Sequence, residues 1–438
     1  MGLGLHVSAE ILPQGLLKRQ PAGGEVLERL ERFFRAGSDP LWRRLASAGR
    51  QGDSLLVRLH PAAEPVAFSC PQPGQVLCSA RTSDAGPGYH HHLVSLLDRC
   101  ARTVGIQWLW QDPPPGTGDE TGYAWHRDYH RLQAEMLAWL QQVARVALDA
   151  QGMLAISLPV GYAPPPESFA ASPLGFWERR WFERVARASP SDLAALGREF
   201  FPWWSPQEDA LFWLNVGRVL MWLQCPWRPP ASPAEAESYR LIDGCLQRAC
   251  EADSSLAYPW AAWAELLRLL GEDERARSVE SRRPQAPASE PAIGYRRWPM
   301  QRPLVGGWTI RLPGSYYDEL QEGGRTVVYW WGERVVRASV LTVTGKDGAA
   351  ADFLPQPQAG EFDEVLTWQG EEGTGWAGLG RAQQGGRPYH LLQSYLAAEG
   401  SLCIVSICCE RAEDRAWAIE TWRSIRRGAK QQAGGPAA

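Results

Sequence analysis

The 438-residue chain predicts an α+β protein with an N-terminal mixed α/β domain, a helical middle and a C-terminal antiparallel sheet covered by helices. Three observations carry that expectation. Apolar residues at period two alternate with helical spacings in the first part of the chain. Strand signals then vanish and helix-start signals appear between about residues 166 and 280, and seven strand-like runs separated by Gly-rich turns follow before a last helix. A hydrophobic content of 45%, with 22 tryptophans, is enough for cores in two or three domains without disulfide or metal support.

The first domain spans residues 1–165. Leu3, Leu5, Val7, Ala9 and Ile11 alternate as in a half-buried strand, and Leu27, Leu30, Phe33 and Phe34 give a helix near 25–35 a face to cover it. Leu55, Val57 and Leu59, then Val66 and Phe68, then Val76 and Cys78 mark short strands. After the turn Asp84-Ala-Gly-Pro-Gly88, a helix from about Tyr89 packs Leu93, Leu96, Leu97 and Cys100, and Ile106 to Trp110 reads as a strand. The loop 112–118 separates these from a long helix, about Trp125 to Ala150, and a strand over Met153–Leu158.

The helical region covers residues 166–280. Ser205-Pro-Gln-Glu208 and Ser232-Pro-Ala-Glu235 have the form of capping boxes, a hydroxyl before Pro with Glu three residues on, and start two helices. A third runs from Pro259 through Trp263, Leu266 and Leu270. Residues 281–292 have the composition of a linker. The C-terminal domain, 293–430, has strand patterns at Trp308–Leu312, Thr326–Trp331, Arg334–Val343, Asp363–Trp368, Gly375–Gln383, Pro388–Ala397 and Leu402–Cys409, then a helix at about Glu413–Ile425. Residues 431–438 form a tail.

With 45 Lys+Arg against 49 Asp+Glu, the chain has no basic coat and no general attraction to nucleic acid or anionic lipid. The acidic excess sits in the helical middle, where residues 166–292 carry 14 cations and 18 acids. The densest patch of one sign is Glu361, Asp363, Glu364, Glu371 and Glu372, which has no base among them. It reads either as a solvated strand-and-turn edge or as a docking surface for a basic partner. No secretory signal and no membrane-spanning run is recognised, and nine cysteines without CxxC spacing suit a reducing cytoplasm.

No complete catalytic or metal-binding signature emerges, so no cofactor is expected. His126 and His130 stand one helical turn apart, but Arg127 occupies the place of the Glu in HExxH, and two ligands fall short of a zinc site. His90-His-His92 reads as surface residues with one packed histidine. Cys403 or Cys409 with His390 is no more than coexistence in one domain, and Gly375-Trp-Ala-Gly-Leu-Gly380 has the wrong spacing for a dinucleotide loop. The aromatic clusters are stronger signals. Trp330 and Trp331 are adjacent on a strand and cannot both face one core, so one of them needs cover from elsewhere in the chain or from a partner.

The run Arg81-Thr-Ser-Asp-Ala-Gly-Pro-Gly-Tyr-His90 leading into Leu93-Val-Ser-Leu-Leu97, the helix Asp209–Arg218 and Tyr329-Trp-Trp-Gly332 resemble the TsiT-like immunity proteins of bacterial type VI secretion and polymorphic toxin systems. The resemblance implies a cytoplasmic protein whose partner is a cognate toxin protein, a nuclease of restriction-endonuclease-like fold, blocked by association and not by chemistry. Trp330 or Trp331 would then be an apolar anchor and Glu361, Asp363, Glu364, Glu371 and Glu372 the complementary charge, with no direct contact to nucleic acid or membrane. The rival readings are a helical adaptor or scaffold and a hydrolase or metal enzyme built around His126, His130 or His390.

Overall fold

Leu5, Val7, Ala9 and Ile11 are buried, while His6 and Glu10 point to solvent, so the alternation in the sequence does produce a first strand, β1 (Gly4–Ile11). The computed structural model describes residues 2–13, 19–36, 40–111, 116–150, 152–159, 161–162, 165, 168–283, 292–342, 350–358, 360–370, 373–398 and 400–427. The fold is α+β. It divides into two compact units, one of residues 1–159, 164–225 and 232–295, the other of residues 160–163, 226–231 and 296–438.

In the first unit β1 is followed by α1 (Gly23–Arg35), α2 (Pro40–Leu45), β2 (Ser47–Gln51), β3 (Ser54–Arg58), β4 (Val66–Ser69), β5 (Gln75–Arg81), α3 (Pro87–Val104), β6 (Ile106–Trp108) and β7 (Gly118–Asp119). The strands form one antiparallel sheet in the order β2-β3-β4-β5-β1-β6, with β7 also on β1. Val26, Leu27 and Leu30 of α1 are buried against this layer, as their spacing requires.

The helix expected over 125–150 is two helices, α4 (Tyr123–His126) and α5 (Tyr129–Asp149). Arg127 between them has φ 56°, and Asp128 caps α5 by accepting from the backbone N–H groups of His130 and Arg131. The strand expected at 153–158 shrinks to β8 (Leu154–Ala155), parallel to β9 (Ala170–Ser172), which pairs with β10 (Gly175–Trp177). Strands therefore continue into the region that the sequence marks as helical. Six helices follow: α6 (Arg179–Arg187), α7 (Pro190–Phe200), α8 (Ala210–Leu223), α9 (Pro233–Ala252), α10 (Trp260–Leu269) and α11 (Asp273–Ser281). Ser232 caps α9 through the Glu235 N–H as its capping box predicts, whereas α8 is capped by Asp209 and Ser205 only donates to that carboxylate.

The first and middle segments share one unit because Trp203 is wedged onto the turn 84–88. A Cβ on Gly88 would lie 2.1 Å from the Trp203 ring. The Gly88 N–H donates to the Trp203 carbonyl, and the Trp203 N–H donates to Ala85. Glycine is thus required there by close approach, and the indole it admits is 1% exposed.

The second unit contains β11 (Pro299–Pro303), β12 (Trp308–Pro313), β13 (Tyr317–Gln321), β14 (Thr326–Trp331), β15 (Arg334–Thr342), β16 (Glu364–Gly370), β17 (Gly373–Gln384), β18 (Arg387–Ala398), β19 (Ser401–Cys409), α12 (Arg415–Arg423) and β20 (Arg426–Arg427). A small sheet β11-β12-β20 and a seven-stranded antiparallel sheet, β13-β14-β15-β19-β18-β17-β16, bury Trp308, Ile310, Tyr329, Val336, Leu392, Val405, Ile407 and Trp422 in one core. The indole N–H groups of Trp308 and Trp422 donate to Ser401 and Ser394. Short segments from earlier in the chain complete this unit: Tyr162 bridges Met300, and the Arg297 guanidinium lies 3.7 Å from the Trp227 ring centre.

Candidate functional site: the rim of the C-terminal sheet

Cross-strand pairing sets Trp331, Arg334, Cys409, His390 and Arg381 in one row at the end of the seven-stranded sheet. Residues directly opposite one another in an antiparallel sheet share a face, and this row belongs to the face that α12 covers. Between the row and the start of α12 lies a cavity of about 320 Å³, lined by Asp363, Arg381, His390, Cys409 and Arg415 over Leu379, Leu392, Ile407 and Ala418. Arg334 ion-pairs with Asp414 and stacks on Trp417, and Arg415 ion-pairs with Glu364.

Cys409 and His390 are therefore direct cross-strand partners and more than tenants of one domain, while Cys403 lies opposite Leu396. Nucleophilic chemistry is nevertheless poorly served. Burial, then the nearby Asp414 and Cys408, push the Cys409 thiol up to about 11, so it is a thiol and not a thiolate near neutral pH.

The acidic run sits at one edge of this rim. Glu361 and Asp363 are exposed, Glu364 is engaged by Arg415, and Glu371 and Glu372 lie outside the described residues. What fixes the run is Phe362, whose ring stacks edge-on to Trp376 and occupies the space a side chain at Gly378 would need, with a Cβ there falling 2.2 Å from the ring. The Gly-rich stretch of β17 is thus a packing surface, and the Asp363 N–H is tied to the Leu379 carbonyl.

The tryptophans alternate along the β14 backbone, yet both rings meet Tyr317. Trp330 lies on the face away from α12 and stacks on Tyr317, with ring centres 5.4 Å apart. Tyr317 is itself sandwiched by the Arg228 guanidinium at 4.1 Å. Trp331 follows at the end of the strand, past the last core row; its ring also stacks on Tyr317, with ring centres 6.0 Å apart, and it remains 37% exposed. Five strand spacings separate β14 from β16 in the sheet order, roughly 24 Å along the sheet. The acids therefore stand at the β16 edge and the tryptophans near the other, with His390 and Cys409 on the inner strands β18 and β19 between them, and of the acids Asp363 shares the cavity with that pair.

A second constellation, missed in the sequence, lies in the first unit. Thr82 Oγ1 is 2.9 Å from His90 Nδ1, and His90 Nε2 is 3.2 Å from an Asp119 carboxylate oxygen. This chain has the connectivity of a hydroxyl–imidazole–carboxylate triad, but Thr82 and His90 are both 0% exposed, so no substrate reaches it. Burial raises the Asp119 pKa, but hydrogen bonding from His90, its charge, and the N–H groups of Ala124 and Thr121 outweigh that and hold it down to about 2. No sequence signal links the three, since they lie on separate elements. In the triplet, His90 is buried while His91 and His92 are half-buried, His92 stacking on Trp42. His126 and His130 do not share a helix, because the left-handed Arg127 separates α4 from α5. Among the described residues no group of three or more His, Cys, Asp or Glu side chains is placed to hold a metal ion.

No protein-family model matches the chain. No curated protein matches it. A solved crystal structure from Bacteroides thetaiotaomicron VPI-5482 is similar over 28% of this chain and 46% of its own, at 11% identity and a TM-score of 0.23, a likeness too slight to transfer fold or function.

Proposed function

We propose that the protein is an immunity protein that binds a cognate antibacterial toxin, a nuclease, in the cytoplasm and neutralises it by non-covalent association. The observation that supports this reading is the rim edge, where Glu361 and Asp363 are exposed on a segment pinned to the sheet by Phe362. A nuclease surface that contacts phosphate is basic, and fixed carboxylates speed the capture of such a surface. The reading asks for no chemistry from the Thr82–His90–Asp119 chain, whose hydroxyl and imidazole are enclosed. Among the described residues no helix is long and apolar enough to cross a membrane.

The test is co-expression with the product of the neighbouring gene, which the proposal expects to be a toxin. A toxin lethal alone and tolerated with this protein is the expected result; continued killing would overturn the proposal. An enzyme is the second reading, favoured by the cavity that brings Asp363, Arg381, His390 and Cys409 together. Cys409→Ala and His390→Ala separate the two, since an immunity protein keeps its protection in both variants and an enzyme acting there loses it.

A further inference from the structure

The outer edge of β16 is the least protected strand edge of the C-terminal sheet. β16 hydrogen-bonds to β17 and, among the described residues, to no other strand, so its alternate backbone N–H and C=O groups face outward. Sheet edges are ordinarily blunted by charge, shortness or proline. The opposite edge, β13, follows that rule with five residues that include Asp318 and Glu319. β16 does not: it has seven residues, a single charge at its first position, and the strand formers Val365, Leu366, Thr367 and Trp368 behind it. Val365 is 45% exposed, and Thr367 and Gln369 share its open face.

What borders this edge selects its occupant. Glu361, Asp363 and Glu364 stand at its start, and in the sequence Glu371 and Glu372 come directly after it. Antiparallel pairing of two copies centred on Thr367 would set residue 363 of one against residue 371 of the other, acid against acid at both ends. Like charges placed opposite one another destabilise such a pair. A second copy is therefore disfavoured, and a strand with basic ends is favoured.

We infer that β16 is a docking edge to which an extended, basic-ended segment of the partner adds as a further strand. Main-chain hydrogen bonds would supply affinity, and Val365, Thr367 and the flanking acids selectivity. The inference rests on the proposal that the protein neutralises its partner by binding, and it names the mode of that binding.

The probe is a dye-labelled peptide with two basic residues at each end of Thr-Val-Thr-Val-Thr, beside a counterpart with acidic ends, both added to the full chain. Binding of the basic peptide alone, with amide exchange slowed across 365–369, is expected. The Val365→Lys/Thr367→Lys variant should keep its thermal midpoint and weaken binding at least about tenfold, because edge lysines repel an added basic strand. Equal binding of both peptides, no binding, or protection confined to other residues would overturn the inference. In cells, a variant that still protects against the toxin as well as the parent would also overturn it while leaving the immunity reading intact. Failure of the parent chain itself to protect would overturn that reading, and the peptide result would then decide the docking edge alone.

Discussion

The two units hold the same kinds of polar side chain in opposite ways. In the first, His90, Asp119 and Thr82 are enclosed and hydrogen-bonded to one another, and His60 is buried against Tyr89, Trp203 and Phe212. In the second, Asp363, Arg381, His390 and Arg415 border an open cavity at the end of a sheet. The lesson is that connectivity alone does not make a site. A histidine between a hydroxyl and a carboxylate is structural when no solvent reaches it, whereas an unremarkable mixture of charges on a rim is available to a partner. Enclosed groups should therefore govern stability and rim groups binding, which orders the following expectations.

The largest effect belongs to Trp203, the ring seated on Gly88. Trp203→Ala is expected to cost about 4 kcal/mol in denaturant unfolding, the range for deleting a buried aromatic side chain. Next comes Asp119→Ala, which strands His90 and the N–H groups of Thr121 and Ala124; a loss of about 3 kcal/mol is expected from an unpaired buried network. Unfolding measured against pH tests the same enclosure. Burial, and then the charge of His92, hold His60 down to about 3. A folded pKa below the unfolded one contributes stability above the unfolded value and loses it as the pH falls towards the folded value. Stability should thus decline below about pH 6.5 through His60 and through His92, which burial and then Arg99 also hold down to about 3, and again below about pH 3.9 through Asp119. His60→Gln should reduce the first decline, leaving the share of His92, and Asp119→Asn should flatten the second.

Smaller effects lie at the rim. Gly378→Ala should displace Phe362 and cost about 2 kcal/mol, as overpacking does, while slowing association with the partner because the acidic run loses its anchor. Reversing Glu361 and Asp363 to Lys should change stability by no more than about 0.5 kcal/mol and, on the proposed function, slow the on-rate for the proposed toxin partner and weaken its salt dependence. Rim variants that unfold the protein, or Asp119 variants that leave it stable and merely stop binding of the proposed partner, would break the distinction between the units.

Local order was legible in the sequence where the period was clean. Thr326–Trp331 matches β14 at both ends, and the expected β15 and β19 are displaced by no more than a residue where described. Signals failed where a nearby side chain overruled periodicity. Asp128 capped a new helix inside an apparently continuous one, and Asp209 displaced Ser205 as the cap of α8. β13 was missed because Tyr-Asp-Glu-Leu-Gln has the charge of a loop, which is how an edge strand is composed. The rim itself was half legible. Acids and aromatics stood out as residue types, but the pairing of His390 with Cys409 depends on the register of distant strands. Gly378 inside a strand was the available hint that something, here the Phe362 ring, approaches β17 closely.

The C-terminal unit draws residues 160–163 and 226–231 from within the first unit's stretch of chain. Tyr162 pairs with Met300, the Gly161 carbonyl accepts from Gln301, and Pro229 accepts from the Tyr317 hydroxyl. A fragment cut at the linker would carry every strand of the seven-stranded sheet and still lack these supports for β11 and for Tyr317, the ring on which Trp330 stacks. Truncation at that point therefore yields an incomplete piece in place of a free-standing module. Any binding assay on such a fragment would report on a damaged rim, and dissection of this protein calls for point substitutions in the whole chain.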